Sequence, residues 1–317
     1  MVTKEFKTLN EQIDILKEKG LTIKDDEYTK QILLRENYFF LNGYRHLFLS
    51  EKDKFIPGTR FEELYSLFLF DRSLRNIVFK YLLVIENNLK SITSYVLSKK
   101  YGIKEKDYLR NKNFTGDPLK QKQVSDLISK MKRQIRVNGA QHSATLHYQS
   151  NYGYIPLWIL VKVLSFGIVS ELYSILKAED QKEIANIYNI DVEELIDYLP
   201  VLANYRNLCA HEDILFENRT QKSINPTIYH KLLKIKKEDE EYTQGKNDLF
   251  ALVIMLKQLL SKEDFKNLIY EIDHVIETLN YNLVSIKLSE VLKRMGFPNN
   301  WKDIVNIERS KEHEKEE

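Results

Sequence analysis

Between Phe61 and about Leu97, apolar side chains recur at intervals of three, four or seven: Leu64, Leu67, Leu74, Val78, Tyr81, Ile85, Leu89, Ile92 and Val96. That spacing holds one face of a 3.6-residue helix apolar and excludes a strand, whose faces alternate every second residue. At about 1.5 Å per residue the helix is roughly 55 Å long. One short partner cannot cover so long a stripe, so the chain must wrap several other helices around it. Only 10 Gly and 6 Pro occur in 317 residues. A β-sandwich or barrel needs turn residues about every 8–12 positions. The predicted fold class is all-α.

The rest of the chain divides around this helix. Residues 3–20 predict a first helix, with Leu9, Ile13 and Leu16 inward and Gly20 as its stop. A second segment spans about 26–50, and Pro57-Gly58-Thr59 is a turn. Residues 98–118 are loop-like, a basic helix follows to about Val137, and Asn138-Gly139 ends it. An apolar helix is expected over 155–176. Asp191 is a candidate N-cap with Glu194 as its capping-box partner, opening a helix that runs toward His211 and that Pro200 should break or kink. Lys234–Asn247 is a charged linker, helices fill Asp248–Leu260 and Lys262–Leu279, and a small cap ends at Trp301. The expected organisation is an N-terminal helical segment (1–60), a helical core (61–230) with a basic insertion at about 99–136, a linker (231–247), C-terminal helices (248–307) and a disordered tail (308–317).

Several functional classes are excluded. The single cysteine, Cys209, permits neither an internal disulfide nor a Cys-based zinc site, and it suits a reducing compartment. No apolar run approaches the roughly 20 residues of a membrane span. The best stretch, Ile155–Val169, is too short and contains Lys162. The N-terminus lacks a signal-peptide h-region. A cytoplasmic protein without membrane contact is expected. There is no phosphate-binding loop, dinucleotide glycine pattern, His-Glu-x-x-His or nucleophile elbow, and no two histidines stand at i, i+4. Neither cofactor nor metal is expected. Net charge is +2, but between Lys99 and Arg136 twelve Lys/Arg face four Asp/Glu. This is either a solvated charged surface or an electrostatic footprint for phosphates.

What remains is acid–base and cationic chemistry, and it concentrates at Arg206-Asn207-Leu208-Cys209-Ala210-His211. On a helical wheel Leu202, Tyr205, Leu208 and Cys209 share an arc of about 120° that faces the core. Arg206 and His211 lie about 140° apart, with Ala203, Asn207 and Ala210 between them. A permanent cation and a titratable imidazole thus flank a floor of small residues. Cleavage of RNA by its own 2′-OH needs a base for that proton and an acid for the 5′-oxygen, and histidine serves either role. Arg206 can hold the phosphate, and Asn207 can orient either group. One Arg and one His are few for the whole reaction, so a symmetric dimer belongs to this reading. The spacing alone is weak evidence: Arg136 and His142 share it across the Asn138-Gly139 break.

The motif resembles the Arg-Asn-x-x-Ala-His form found in the HEPN superfamily of helical ribonucleases. Further blocks resemble the abortive-infection (Abi, AbiD/AbiF-like) branch. They are Asn37–Tyr44 (with Phe40 where an arginine is common), Phe70-Asp71-Arg72-Ser73-Leu74-Arg75 followed by Ile85-Glu86, Pro156-Leu157-Trp158 with Ser165-Phe166-Gly167, and Gly296-Phe297-Pro298 with Trp301. The resemblance spans about residues 10–301. It implies a HEPN-type helical bundle with additional N- and C-terminal helices, often dimeric. It also implies a ribonuclease toxin of phage defence or of a toxin–antitoxin system, restrained by a small non-coding RNA or another partner. The family's catalytic residues fall on Arg206 and His211, with Asn207 beside them.

Other candidates carry competing readings. Asp71 and Arg75 either support the site or form a simple i, i+4 salt bridge. Glu86 is a partly buried carboxylate paired with a cation such as Arg206, or a rim residue. Tyr44 and Arg45 either contact RNA or belong to an aromatic core cluster. Lys120, Lys122, Lys130, Lys132, Arg133 and Arg136 are the candidate RNA contacts of the basic segment, and Trp158 and Trp301 are expected to pack. The alternative function is a non-catalytic RNA-binding or phage-sensing helical module.

Overall fold

The computed structural model describes residues 5–50, 53–138 and 141–309. The predicted central helix is α4, Phe61–Tyr101, unbroken for 41 residues. Eight of the nine stripe residues are buried, and Ile92 is partly so. Each fully buried aliphatic side chain contributes about 1.5–3 kcal/mol relative to exposure, which is why a helix this long holds its place.

Around α4 pack α9 (Phe166–Ser174), α10 (Ala178–Ile187), α11 (Val192–Ala210), α13 (Leu249–Leu259) and α14 (Lys262–Asn282). α13 is buried on every side and α14 lies along α4. Glu63, wholly buried at the start of α4, accepts the N–H groups of Val284 (2.7 Å) and Ser285 (2.6 Å) just past α14. Burial pushes its carboxyl up, but the N–H groups of Ser285, Val284 and Arg60 outweigh this and hold it below the usual value. One continuous core runs from Ile13 to Ile304 and joins the expected core and C-terminal segments. The fold is all-α apart from a small two-stranded sheet. Among the described residues no helix is long and apolar enough to cross a membrane.

Local departures from expectation have local causes. α1 is Leu9–Glu18, started by a Thr8/Glu11 capping box and closed by Gly20 at φ +92°. The segment expected over 26–50 breaks into α2 (Asp26–Glu36), α3 (Tyr38–Asn42) and a 3₁₀ turn (Arg45–Phe48). Asn37 at φ +66° makes the first break and caps α3 through Phe39 N–H. The apolar run 155–176 is three pieces: α8 (Leu157–Leu160), a 3₁₀ turn (Val161–Val163) and α9, which Ser165 caps. The loop after α4 contains a short helix, α5 (Glu105–Tyr108), and α6 (Gln121–Asn138) is the predicted basic helix, followed by α7 (Ser143–Tyr152). Gly139 lies outside the described residues. The Asp191/Glu194 capping box is present, and α11 runs on past Pro200, which sits on its exposed side. The segment expected as a linker follows α12 (Ile228–Leu232) and contains a short, largely exposed hairpin, β1 (Lys237–Glu238) with β2 (Glu241–Tyr242), whose Tyr242 ring lies 4.7 Å from that of His230. Beyond α15 (Leu288–Met295), residues 310–317 of the expected tail lie outside the described residues.

Candidate active site

Helix α11 buries Leu202, Tyr205 and Cys209 against the core and Leu208 in part, so its remaining faces are set by register alone. Burial pushes the Cys209 thiol up to about 12. The helix ends at Ala210. His211 is its C-cap, and the His211 backbone N–H donates to Asn207 O at 3.0 Å. The His211 imidazole is exposed and lines a cleft of about 1130 Å³, whose other wall is built by the end of α2, α3 and the following turn.

Arg206 faces elsewhere. Its Nε donates to Glu86 Oε2 at 3.3 Å and its guanidinium lies 5.5 Å from the centre of the Phe79 ring, both on α4. Glu86 is buried and also holds Lys90 Nζ at 2.6 Å. Of the two readings for Glu86, the buried carboxylate paired with Arg206 is the one observed. Asn207 is exposed and lines a second groove of about 420 Å³ with Ala203, against Gln123 of α6 and Ser170 of α9. The floor of small residues expected between Arg206 and His211 is therefore divided between two openings. Ala210 lines the His211 cleft and Ala203 the second groove.

Asp71 and Arg75 form more than a surface helix pair. Asp71 is fully buried, and its carboxylate accepts from Phe216 N–H (2.7 Å), Leu215 N–H (3.1 Å) and Tyr44 Oη (2.7 Å), and is paired with Arg75. Arg75 Nη1 also donates to Tyr44 Oη at 3.0 Å. Burial pushes the Asp71 carboxyl up, while Arg75, Tyr44 and the two backbone N–H groups favour its charged form. This network pins residues 215–216, just beyond His211, to the first third of α4. It thereby fixes the direction in which the chain leaves the motif.

The network also corrects the expected role of Tyr44. Its ring is 3% exposed and stacks on Phe216 with centroids 6.0 Å apart, so no base can reach it. Burial pushes its hydroxyl up, which keeps it a donor. Arg45 is half-buried at the cleft wall and occupied by Asn42 (3.1 Å) and Asp53 (3.3 Å). Exposed aromatic rings do line the cleft, but they are Phe39 and Phe40. Trp301 is buried as expected, whereas Trp158 is 41% exposed, because α8 is a short helix at the surface rather than part of a buried one.

The basic helix turns Val124, Leu127, Ile128 and Met131 inward and leaves Lys122, Lys132, Arg133 and Arg136 exposed. Lys130 pairs with Glu171 at 2.8 Å, and Lys120 donates to Ser174 O at 3.1 Å. None of these cations lines the His211 cleft. Sequence reasoning overlooked the bidentate pair of Arg72 with Glu36 (3.0 and 2.5 Å) that closes the cleft wall, although Arg72 stands inside a quoted block. Among the described residues no group of His, Cys, Asp or Glu is placed to hold a metal ion.

Comparison with known proteins returns no match among curated proteins and none among solved structures. One family model, described as Abi-like protein, matches residues 31–217, more than half of the chain. That span takes in the second half of α2, the Asp71 network, α11 and the pinned turn after His211. The chain belongs to the Abi-like protein family.

Proposed function

We propose that this chain is a HEPN-type endoribonuclease of the AbiD/AbiF-like branch, acting in abortive infection or a toxin–antitoxin system. The family's description is consistent with phage defence. In the proposed reaction the ribose 2′-oxygen bonds to the adjacent phosphorus while the bond from phosphorus to the 5′-oxygen breaks, leaving a 2′,3′-cyclic phosphate and a 5′-hydroxyl. His211 takes the 2′-proton or returns one to the leaving oxygen. Arg206 offsets charge on the non-bridging oxygens, and Asn207 orients the phosphate. No step is assigned to a metal.

The observation that carries this reading is the position of His211. It is an exposed imidazole at the end of a helix that buries one face, open to a large cleft, with the chain beyond it anchored by a fully buried carboxylate. Arg206 does not line that cleft. A homodimer supplies a second Arg206 and His211 and completes the site. RNA is the substrate, and a small non-coding RNA or an antitoxin restrains the activity. The exposed cations of α6 favour a second reading, a non-catalytic RNA-binding module.

Induced expression of wild type beside His211→Ala separates the two. The ribonuclease reading expects growth arrest and new RNA ends with wild type, and neither with His211→Ala present at equal soluble level. Arrest that persists in His211→Ala but disappears when Lys122, Lys132, Arg133 and Arg136 are neutralised supports the binding module instead.

A further inference from the structure

The wall of the cleft opposite His211 takes no part in the chemistry above. We propose that this cleft seats an unpaired stretch of the RNA substrate, with Phe39 and Phe40 stacking on bases and Arg35 and His46 contacting phosphates. The proposal rests on the ribonuclease reading and names its substrate class as single-stranded RNA.

The first support is the pair of rings. Phe39 and Phe40 are 75% and 56% exposed, and their centroids lie 6.0 Å apart at 67°. The five-residue α3 holds them out between Asn37, at φ +66°, and Gly43. Gly43 couples this platform to the motif, because a Cβ there would stand 3.0 Å from Ile214 Cδ1. Ile214 lies three residues past His211, inside the turn that the Asp71 network anchors. Rings and imidazole thus belong to one packed unit, on facing walls of the same cleft.

The second support is a single unpaired cation. Of the four arginines that line the cleft, Arg45, Arg72 and Arg75 are paired with Asp53, Glu36 and Asp71. Arg35 is exposed and has no acidic partner among the described residues. A purely apolar seat for a second copy does not need the exposed Arg35, whereas a phosphodiester does. Duplex RNA hides its base faces, so exposed rings beside cations select unpaired nucleotides, and stacking tolerates any base.

The test uses the full-length chain carrying His211→Ala and a fluorescein-labelled oligoadenylate, free or annealed to oligouridylate, read by anisotropy. The expected result is tighter binding of the free strand. Adding Phe39→Ala and Phe40→Ala should weaken that binding roughly tenfold or more, Phe39→Tyr with Phe40→Tyr should retain it, and Arg35→Gln should flatten its salt dependence. Circular dichroism melting confirms that these surface variants fold. Equal affinity for both probes, or unchanged affinity in the double alanine variant, overturns the proposal. So does loss of dimer in sedimentation without loss of RNA affinity, which marks the face as a contact between copies. Wild-type cleavage rates in Phe39→Ala/Phe40→Ala sink the cleft alone, whereas cleavage that survives in His211→Ala sinks the ribonuclease reading.

Discussion

Replacing Asp71 tests how the chain beyond the motif is held. Asp71→Ala removes one partner of a buried ion pair, which costs about 3–5 kcal/mol. It also strips the N–H groups of Leu215 and Phe216 of their acceptor, at about 1–3 kcal/mol for a donor left unmet. Against a total stability of about 5–15 kcal/mol, that variant is near the limit of folding. Asp71→Asn is the more informative change, since its amide oxygen still accepts one N–H while the Arg75 charge stays buried and unopposed. We expect it to lose about 2–4 kcal/mol. Unfolding entropy of about 2.1 cal/mol/K per residue converts this, for 317 residues, to a melting temperature lower by roughly 3–6 °C. Scanning calorimetry reads that shift. Arg75→Met combined with Asp71→Asn should be less destabilising than the sum of the single changes by about 1 kcal/mol or more, because no buried charge is left alone. A melting temperature for Asp71→Asn within about 1 °C of wild type, or strict additivity in the double variant, refutes the anchoring argument.

Cys209, buried and pushed up to about 12, should resist iodoacetamide at neutral pH in the native chain and react once the chain is unfolded, as mass spectrometry will report. His230 is buried with Nδ1 accepting from Thr227 N–H (3.0 Å) and Nε2–H donating to Gly245 O (2.8 Å), which fixes a neutral tautomer. Burial holds it below the usual 6.5. The unfolded chain therefore binds the extra proton first, and stability falls as pH drops from 6.5 toward the lower folded value. Between about pH 7 and pH 5 wild type should lose more melting temperature than His230→Gln, and equal losses contradict this assignment. Gly296 stands at φ +77°, and a Cβ there would lie 2.1 Å from Asp248 side-chain atoms. Gly296→Ala should cost roughly 2–5 kcal/mol in a denaturant titration, from left-handed strain plus overpacking.

Much of this fold is written in local spacing. The α4 stripe and the Asp191/Glu194 box depend on residues three or four apart, which a helix must bring together. Breaks at Asn37 and Ser165 were hidden because an apolar run looks alike whether it forms one helix or three. The Asp71–Arg75 pair was legible as i, i+4, but its burial was not. Its two backbone partners lie 144 and 145 residues away, and nothing in their sequence marks two N–H groups as ligands for a carboxylate. Tyr44 illustrates the same limit, since an aromatic beside an arginine reads as an RNA contact until Phe216, distant in sequence, covers it. Glu86 and Arg206 were foreseen as one of two alternatives, which their separation of 120 residues left open. The wheel placed Arg206 and His211 on different faces correctly. It had no means of showing that Asn207 lines a groove beside α6 and α9 while Ala210 and His211 line the cleft.

The central claim is that His211 performs acid–base chemistry on RNA. Purified wild type and His211→Ala, incubated with single-stranded RNA in EDTA, test it through the chemistry of the ends they produce. The account predicts 2′,3′-cyclic phosphate and 5′-hydroxyl ends from wild type and none from a folded His211→Ala. Intact RNA with wild type, ends bearing a 5′-phosphate, or equal cleavage by the two proteins contradicts it.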